Sequence, residues 1–304
     1  MILTIKVFAF LITMNQQHHI SNKILDLFPD IKYPLEFSSV SGGSVNESFS
    51  IRYGSRQLFC KTNSATKFPH LLETEKKGLE LIAKQKIIAT PEVMACFERE
   101  GHQYLLLEWV SAGKPSKEFW HSFGEQLAAL HQVKNIHFGL DHENYMGCVT
   151  QVNSKSVNWI DFFREQRLEP LVRLCSSNGL ISADQIKLFE SLYNRLPDLF
   201  NEDEPPSLIH GDLWSGNFIC NQEGQPVLID PAVYFGHRSV DLAMTTLFGG
   251  FNPPFYEAYH YHYPFPDNYK MQWPVCNLYP LLIHVFLFGR AYLSQVDDIL
   301  KRFR

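Results

Sequence analysis

The order of three polar residues around short apolar segments limits the fold of this chain more than any other feature. Residues 210–217 read HGDLWSGN, and residues 227–232 read VLIDPA. The neighbouring runs SLIH, FIC and PVLI are short, apolar and bounded by polar, Gly or Pro residues, which is typical of strands. The sequence therefore predicts that Asp212, Asn217 and Asp230 lie in turns directly beside strands.

The chemistry of these three side chains indicates phosphoryl transfer. Such a transfer needs a group that orients the attacking hydroxyl and a divalent cation that offsets the phosphate charge. Asp212 can accept the hydroxyl proton, and the Asn217 amide oxygen and the Asp230 carboxylate are hard ligands that suit Mg²⁺. His-Gly-Asp or Asp-Pro alone is more often an ordinary turn. Their shared order and spacing favour the functional interpretation, with ATP and Mg²⁺ as the expected cofactors.

A kinase also needs a phosphate-binding turn and a lysine ahead of these motifs. Residues 35–53 predict two strands joined at Gly42, Gly43 and Ser44, where glycines let backbone amides approach an anion. The next run, QLFCK, predicts a short strand that carries Lys61. A common Gly-Gly hairpin turn and a solvated lysine at a strand end are the ordinary alternatives.

The segment LLETEKKGLELIAK predicts the helix that follows. Leu72, Leu79 and Ile82 fall at helical spacing on one face, and Glu75 lies on that same face. A carboxylate within an apolar stripe needs a partner, because an unpaired buried charge is costly. Lys61 is the candidate partner. The alternative is that Glu75 lies at the edge of the stripe, in water.

Residues 103–110 read QYLLLEWV and predict a buried strand, which a linker at residues 111–115 follows. In a two-lobed kinase this place in the order is the hinge. Backbone groups of Glu108 and Val110 would then contact adenine. A core strand before a loop describes the local sequence equally well, so the assignment depends on its position after the lysine and the helix.

The rest of the chain predicts mainly helices. Phe119, Phe123, Leu127 and Leu130 recur at spacings of four, four and three residues, which indicates an amphipathic helix ending near His131. Further helices are predicted at 157–177, 182–196, 239–248 and 278–301. A chain of 304 residues exceeds the usual size of a single core. We expect a lead-in at 1–34, a smaller lobe at 35–110 and a larger lobe at 111–304.

Composition narrows the classes of partner. With 27 basic and 32 acidic residues the net charge is −5, so the chain lacks the basic field of a nucleic-acid binder. The six cysteines contain no C-x-x-C pair, which disfavours a zinc site or a disulfide framework. Buried thiols in a reducing cytoplasm are the expectation. We therefore predict a cytoplasmic protein, with a monomer favoured over a disulfide dimer.

The first fourteen residues, MILTIKVFAFLITM, are largely apolar. The run is shorter than the roughly twenty residues that span a bilayer. It also lacks a charged start and a small-residue cleavage site. We expect an extension ahead of a normal amino terminus rather than a targeting or membrane segment. If it folds, an edge strand or a packed helix are both open.

The chain resembles the fructosamine kinase (ketosamine-3-kinase) family, within the protein-kinase-like superfamily that includes aminoglycoside phosphotransferases and choline kinases. The resemblance extends from about Leu35 to the C terminus. HGD alone marks the superfamily, whereas HGDLWSGN with DPAVYFG and LFGGF is much narrower. The other matching stretches are GGSVNES, FCK, the helix that carries Glu75, LAALH at 127–131 and WIDFFREQRLEP at 159–170.

The resemblance implies an α+β, protein-kinase-like fold of two lobes. The N-lobe would hold an antiparallel sheet and one helix, and the C-lobe would be mainly helical. By the same resemblance Asp212 is the catalytic aspartate, while Asn217 and Asp230 hold magnesium. Trp214 would pack its flat face against the sugar of the substrate. The alternative for Trp214 is that it covers the core of the lobe.

The nucleotide-binding residues follow from the resemblance in the same way. Lys61, paired with Glu75, would steady the phosphates of ATP, and the turn from Gly42 to Ser44 would cover them. The family phosphorylates the C3 hydroxyl of ketosamines. The expected substrate is therefore a fructosamine, ribulosamine or erythrulosamine adduct of an amine or a protein lysine, and the expected role is protein deglycation repair.

Two stretches depart from the family pattern. Many relatives carry cysteine where this chain has Ser44, so a thiol switch is not expected. Relatives commonly carry acidic residues where this chain reads His237, Arg238 and Ser239. Asp241 is retained in the next helix, where we expect it to brace the catalytic loop. The rival functions are a same-fold kinase of an aminoglycoside, choline or sugar alcohol, and a catalytically idle binding protein.

Overall fold

The computed structural model describes residues 2–31, 34–40, 45–201 and 203–303, with the side chains described from residue 14 onward. The chain divides into two compact units. The first unit comprises residues 1–76 and 91–110, and the second comprises 77–90 and 111–304. The predicted lobe boundaries remain predictions, and each unit is described by itself.

An antiparallel sheet of five strands forms the first unit. The strands lie in the order β1-β2-β3-β5-β4. The predicted antiparallel sheet is therefore confirmed. The strands are β1 (Glu36–Ser39), β2 (Glu47–Tyr53), β3 (Arg56–Ser64), β4 (Val93–Arg99) and β5 (His102–Glu108).

Two helices accompany this sheet in the chain, where one was expected. The helix α1 spans Ile2–Leu27, so the apolar first residues continue into the polar segment as one helix. Ile20 and Ile24 of α1 are completely buried in the core of the first unit, together with Phe49, Cys60 and Leu106. This packing explains why α1 belongs to the unit, because burying apolar surface stabilises it.

The predicted helix with the apolar stripe is α2, which spans Leu71–Lys84. Leu72, Leu79 and Ile82 are all buried, as their spacing indicates. The Gln103 side chain accepts a hydrogen bond from the Leu72 amide at 2.8 Å, which satisfies a free donor at the start of the helix. The boundary between the two units falls within α2, after Lys76.

Helices and short hairpins form the second unit. Asn158 caps α4, and a capping box formed by Ser182 and Gln185 begins α6. The helices are α3 (Lys117–His131), α4 (Trp159–Phe163), α5 (Glu169–Ser177), α6 (Ala183–Leu199), α7 (Ser239–Leu247), α8 (Pro253–His262), α9 (Tyr269–Cys276), α10 (Leu278–Phe288) and α11 (Leu293–Leu300). The strands are β6 (Asn144–Met146), β7 (Val149–Gln151), β8 (Ser207–Ile209), β9 (Phe218–Cys220), β10 (Pro226–Leu228) and β11 (Tyr234–Gly236).

Two predicted helices are interrupted. The segment 157–177 contains a π-helical turn at Arg164–Leu168 between α4 and α5. The segment 278–301 breaks at Gly289, whose φ of 79° is left-handed and favours glycine. A short 3₁₀ turn at Arg290–Tyr292 then leads into α11. In both places the apolar periodicity continues through the break, so spacing alone predicted one helix.

Within the described residues, one segment is long and apolar enough to cross a membrane. It spans Tyr269–Phe288, with a mean hydropathy of 1.2, and 67% of it is buried inside the protein. Asn277 lies between α9 and α10 in this segment, and its side chain donates to the Ala243 carbonyl at 2.9 Å. Burial of this kind is typical of a helix pair in a protein core.

All six cysteines are free thiols. Cys60, Cys175, Cys220 and Cys276 are buried, while Cys96 and Cys148 are half-buried. Burial raises the pKa of the Cys175 thiol to about 11. The buried thiols therefore act as small apolar groups, as expected.

Candidate active site

The first unit contains the predicted pair of Lys61 and Glu75. Lys61 lies within β3 and Glu75 in the second turn of α2. The Lys61 Nζ donates to the Glu75 Oε1 at 2.7 Å. The two side chains are only 5% and 10% exposed. The predicted contact is therefore confirmed, and it places a fixed ammonium group beside the sheet.

The other predicted nucleotide-binding positions have less structural support. Gly42, Gly43 and Ser44 lie outside the described residues. Glu108 ends β5, and its amide donates to the Glu92 carbonyl at 2.9 Å, so this amide is used inside the first unit. Val110 is the last residue of that unit. Their contact with adenine stays a prediction.

In the second unit, Asp212 and Asn217 form the two ends of one tight loop between β8 and β9. The Asn217 Nδ2 donates to the Asp212 carbonyl at 2.8 Å and to the Asp212 Oδ2 at 2.9 Å. The Asn217 amide also donates to the Trp214 carbonyl at 3.0 Å. These bonds orient the Asp212 carboxylate. They also leave the Asn217 Oδ1 without a hydrogen-bond donor among the described residues.

His210 joins this loop to the segment that carries Asp230. Its Nε2 donates to the Ile229 carbonyl at 2.9 Å, and its Nδ1 accepts from the Asp212 amide at 3.3 Å. Burial lowers the pKa of His210, which favours this uncharged form. The Ile229 amide also donates to the Asn217 carbonyl at 3.1 Å. Backbone and side-chain bonds therefore bring all three predicted residues into one polar cluster.

Asp230 has an unusual backbone conformation. Its φ is 55°, in the left-handed region that residues other than glycine rarely adopt. Such strain concentrates at functional sites, where the surrounding structure enforces it. The hydrogen bonds of Ile229 on one side and of Ala232 to the His210 carbonyl on the other hold this turn in place.

Asp241 supports the loop that carries Asp212. It is completely buried at the start of α7. Its carboxylate accepts from the His210 amide at 2.7 Å and from the Gly211 amide at 2.8 Å. The predicted bracing role of Asp241 is therefore confirmed. His131, at the end of α3, adds a third contact at 3.1 Å between its Nε2 and the Asp241 Oδ2.

The charge state of these groups follows from their surroundings. Burial alone would raise the pKa of Asp241, but the hydrogen bonds from His131 and Gly211 lower it below its usual value. Burial raises the pKa of Asp212 to about 7, with the charges of Asp230 and Asp241 adding to the rise and the Asn217 bond opposing it. The cluster is thus strongly negative when all three carboxylates are ionised.

A buried polar network holds the segment after Asp230. The Asn144 side chain donates to the Val233 carbonyl at 2.8 Å, and the Gln151 side chain donates to the Ala232 carbonyl at 3.3 Å. The Tyr279 hydroxyl donates to the Gln151 Oε1 at 3.0 Å. Sequence reasoning missed these residues, because single amides in short strands carry no periodic signal.

Arg167, from the WIDFFREQRLEP stretch, completes this network. Its guanidinium is fully buried and donates to the Asn153 Oδ1 at 2.7 Å and to the Val152 carbonyl at 2.6 Å. The group lies 4.2 Å from the ring centroid of Tyr234 and 5.5 Å from that of Tyr279. A buried cation between aromatic faces is stabilised by the ring quadrupoles.

The departure at His237 and Arg238 also has a structural counterpart. Both side chains are buried, and Arg238 donates to the Glu204 carboxylate. The His237 Nε2 lies 3.2 Å from the Glu204 Oε2, at ion-pair distance but without hydrogen-bond alignment. Burial would raise the pKa of Glu204, yet the neighbouring His237 and Arg238 lower it to about 2. Glu204 is therefore the acidic partner of both His237 and Arg238.

Trp214 is partly exposed, with 37% of its surface accessible. Trp214 follows Asp212 by two residues, and its backbone amide donates to the Asp212 carbonyl at 3.1 Å. The ring therefore does not serve as core cover alone. Its contact with a sugar stays a prediction.

The donor set suits magnesium in its chemistry. Carboxylate and amide oxygens are the ligands that hard cations prefer, and the Asn217 side chain turns its amide nitrogen, not its oxygen, toward Asp212. Across the described residues, no group of three or more His, Cys, Asp or Glu side chains is placed to hold a metal ion. The oxygen donors of Asn217 and Asp230 fit magnesium in their chemistry, and their binding of it stays a prediction.

Comparison with known proteins identifies the family. Residues 16–304 match the fructosamine kinase family. The chain belongs to that family. The protein named "Probable ketoamine kinase" of Lactiplantibacillus plantarum is 39% identical over 272 residues, covering 87% of this chain and 92% of that protein. Its counterpart in Synechocystis is 37% identical over 268 residues, covering 88% of this chain and 90% of that protein. The chain is thus a member of a kinase family.

Solved structures agree with this assignment. A crystal structure assigned as a fructosamine-3-kinase from Thermobifida fusca has a TM-score of 0.81 and 30% identity, covering 91% of this chain and 96% of that one. Aminoglycoside phosphotransferase APH(4)-Ia, at 16% identity, has a TM-score of 0.60 and covers 93% of this chain and 97% of that one. The second likeness concerns the fold alone. The predicted α+β, protein-kinase-like fold is confirmed.

Proposed function

We propose that this chain is an ATP-dependent kinase that phosphorylates the C3 hydroxyl of ketosamines. The substrates would be fructosamine, ribulosamine or erythrulosamine adducts of amines or protein lysines, and the role would be deglycation repair in the cytoplasm. Family membership and the names of the related ketoamine kinases support the substrate class. A solved same-fold phosphotransferase in complex with AMP-PNP supports ATP as the phosphoryl donor.

The observation that carries the proposal is the bonded loop of Asp212 and Asn217, tied through His210 to the strained turn of Asp230. Asp212 would accept a hydrogen bond from the attacking hydroxyl and hold it in line with the γ-phosphorus. As the new O–P bond forms and the bond to ADP breaks, the hydroxyl proton passes to the Asp212 carboxylate.

The other residues would bind and orient. Asn217 and Asp230 would hold magnesium, which when bound supplies positive charge against the phosphates. Lys61, fixed by Glu75, would bind the phosphates, and the backbone at Gly42, Gly43 and Ser44 would cover them. Glu108 and Val110 would meet adenine, and Trp214 would pack on the sugar. These roles need only one copy of the chain.

A panel assay tests the proposal. Purified protein with Mg²⁺ and ATP is mixed separately with a synthetic fructosamine, a ribulosamine, an aminoglycoside, choline and a sugar alcohol. We expect ADP release with the ketosamines and a 3-phosphate product by NMR. Turnover of the aminoglycoside or choline without turnover of the ketosamines would assign the chain to another same-fold kinase. Absence of turnover throughout would favour an idle binding protein.

The Asp212→Asn variant tests the catalytic role. We expect kcat on the best ketosamine to fall roughly 10²- to 10⁴-fold, because the amide cannot accept the proton. Binding of an ATP analogue, measured by calorimetry, should remain. Asp184→Asn is the matched control, since that carboxylate is 89% exposed on α6. Equal turnover in the Asp212 variant and the unaltered protein would contradict the role.

A further inference from the structure

A row of five rings lies on the surface of the second unit beside the catalytic loop. We call Trp214, Phe248, His284, Phe288 and Tyr292 the aromatic row. Neighbouring ring centroids in the row are 4.9–6.2 Å apart. Trp214, Phe248 and Phe288 expose 37%, 41% and 53% of their surface. Scattered exposed rings are normal, but a contiguous exposed patch marks a binding surface.

The LFGGF motif divides its two phenylalanines between core and surface. Phe251 packs against Trp120, Phe123 and Phe218, with ring centroids 5.2–5.8 Å apart. This packing anchors the end of the motif. Phe248, its second residue, instead forms a T-shaped pair with Trp214, with ring centroids 5.9 Å apart, and stays exposed. Anchoring the loop therefore does not explain the exposed ring.

The catalytic loop and the LFGGF motif are built against each other. Gly250 has a φ of 94°, and a Cβ there would lie 2.5 Å from the Ser215 Cβ, so only glycine fits. The Trp214 ring folds back over Gly216, where a Cβ would lie 2.3 Å from the ring. Two motifs distant in sequence thus hold Trp214 and Phe248 side by side. Trp214 follows Asp212 by two residues.

His284 adds a polar atom to this apolar surface. Its Nδ1 is 2.7 Å from the Pro280 carbonyl oxygen, which can only accept, so the Nδ1 carries a proton. In the uncharged ring the Nε2 is then an acceptor. Aromatic faces and such an acceptor together suit an ammonium group with apolar substituents.

We infer that the aromatic row binds the amine-bearing part of the ketosamine and favours amines that carry an aromatic group. This inference rests on the proposed function. A ketosamine nitrogen is a secondary amine that is protonated near neutral pH, and its substituent extends away from the sugar. With the sugar on Trp214, that substituent continues along Phe248 and Phe288. The row would then select among amines, whereas the loop acts on the sugar.

Two substrates that share a sugar but differ in the amine test this inference. The substrates are the fructosamines of methylamine and of benzylamine, each assayed for kcat/KM with Mg²⁺ and ATP. We expect the unaltered protein to prefer the benzylamine adduct. In the double variant Phe248→Ala/Phe288→Ala, the ratio of kcat/KM for the benzylamine adduct to that for the methylamine adduct should fall roughly tenfold. Tyr261→Ala is the control, because that ring is 83% exposed on α8 and outside the row; it should keep the preference.

The possible outcomes separate the two proposals. A selective loss on the benzylamine adduct in the double variant, with thermal melting like that of the control, supports the row as an amine subsite. Turnover of both adducts with an unchanged preference in the double variant would overturn the subsite and leave the proposed function intact. Absence of turnover of both adducts by the unaltered protein would overturn the proposed function and the subsite together.

Discussion

In the first unit Lys61 and Glu75 hold opposite charges 2.7 Å apart, whereas the second unit gathers the carboxylates of Asp212, Asp230 and Asp241 around one loop. In the first unit, the charges of Lys61 and Glu75 offset each other. In the second, burial lowers the pKa of His131 and His210, so these rings donate hydrogen bonds without adding positive charge. These two rings therefore do not offset the charge of the carboxylates.

Glu204 shows that this difference depends on partners and not on the unit. It is also largely buried in the second unit, yet with His237 and Arg238 beside it the pKa falls to about 2, while that of Asp212 rises to about 7. A pair of opposite charges is a structural solution. In the carboxylate cluster, by contrast, backbone amides hold Asp241 and the Asn217 side chain holds Asp212.

The largest expected effect on stability comes from removing one charge of the Lys61–Glu75 pair. Lys61→Met removes the ammonium group that lies 2.7 Å from the Glu75 carboxylate, which is 10% exposed. We expect the free energy of unfolding to fall by about 3–5 kcal/mol. Urea denaturation at pH 7 measures it.

Two further variants define this result. Lys61→Met/Glu75→Leu should recover most of the lost stability, because an apolar pair needs no charge compensation. Lys187→Met removes one member of the exposed pair with Asp184 and should change stability by less than about 1 kcal/mol. A double variant as unstable as Lys61→Met would show that the pair itself is not what stabilises this region.

Sequence reasoning predicted the pair and the catalytic loop for different reasons. A carboxylate at position 75 on the apolar face of α2 requires a nearby cation, and Lys61 is the preceding candidate. Asp212 and Asn217 lie in one loop, so their contact is local. Bonds between distant residues, such as His131 to Asp241 across 110 positions, leave no such local pattern. The length of α1 depends on packing between distant residues, which the local sequence does not show. The end of α10 depends on the backbone conformation of Gly289.

The second effect concerns pH and the Glu204 site. The folded pKa is about 2 and the unfolded value is about 4.3, so the contribution to stability is complete above pH 4.3 and is lost as pH falls toward 2. One pKa unit corresponds to about 1.4 kcal/mol, which gives on the order of 2–3 kcal/mol.

Urea midpoints of the unaltered protein and Glu204→Gln between pH 7 and pH 3 measure this effect. We expect the gap between the two proteins to be largest near neutral pH and to shrink below about pH 4.3. Glu190→Gln, an exposed substitution on α6, is the control. A difference in urea midpoint that does not change with pH would mean that Glu204 stabilises the protein through packing and not through its charge.

The smallest effect separates hydrogen bonding from charge in the carboxylate cluster. Asp241→Asn removes one negative charge but offers only one oxygen to three donors, the amides of His210 and Gly211 and the His131 ring. The amide nitrogen must then face a buried donor, which costs roughly 1–3 kcal/mol. Urea denaturation should show this loss, and kcat should fall because the Asp212 loop loses its support. Asp198→Asn, 60% exposed, is the control. If Asp241→Asn were as stable as the control, relief of like-charge repulsion would offset the lost hydrogen bond. Charge repulsion would then set the stability of the cluster as much as hydrogen bonding does.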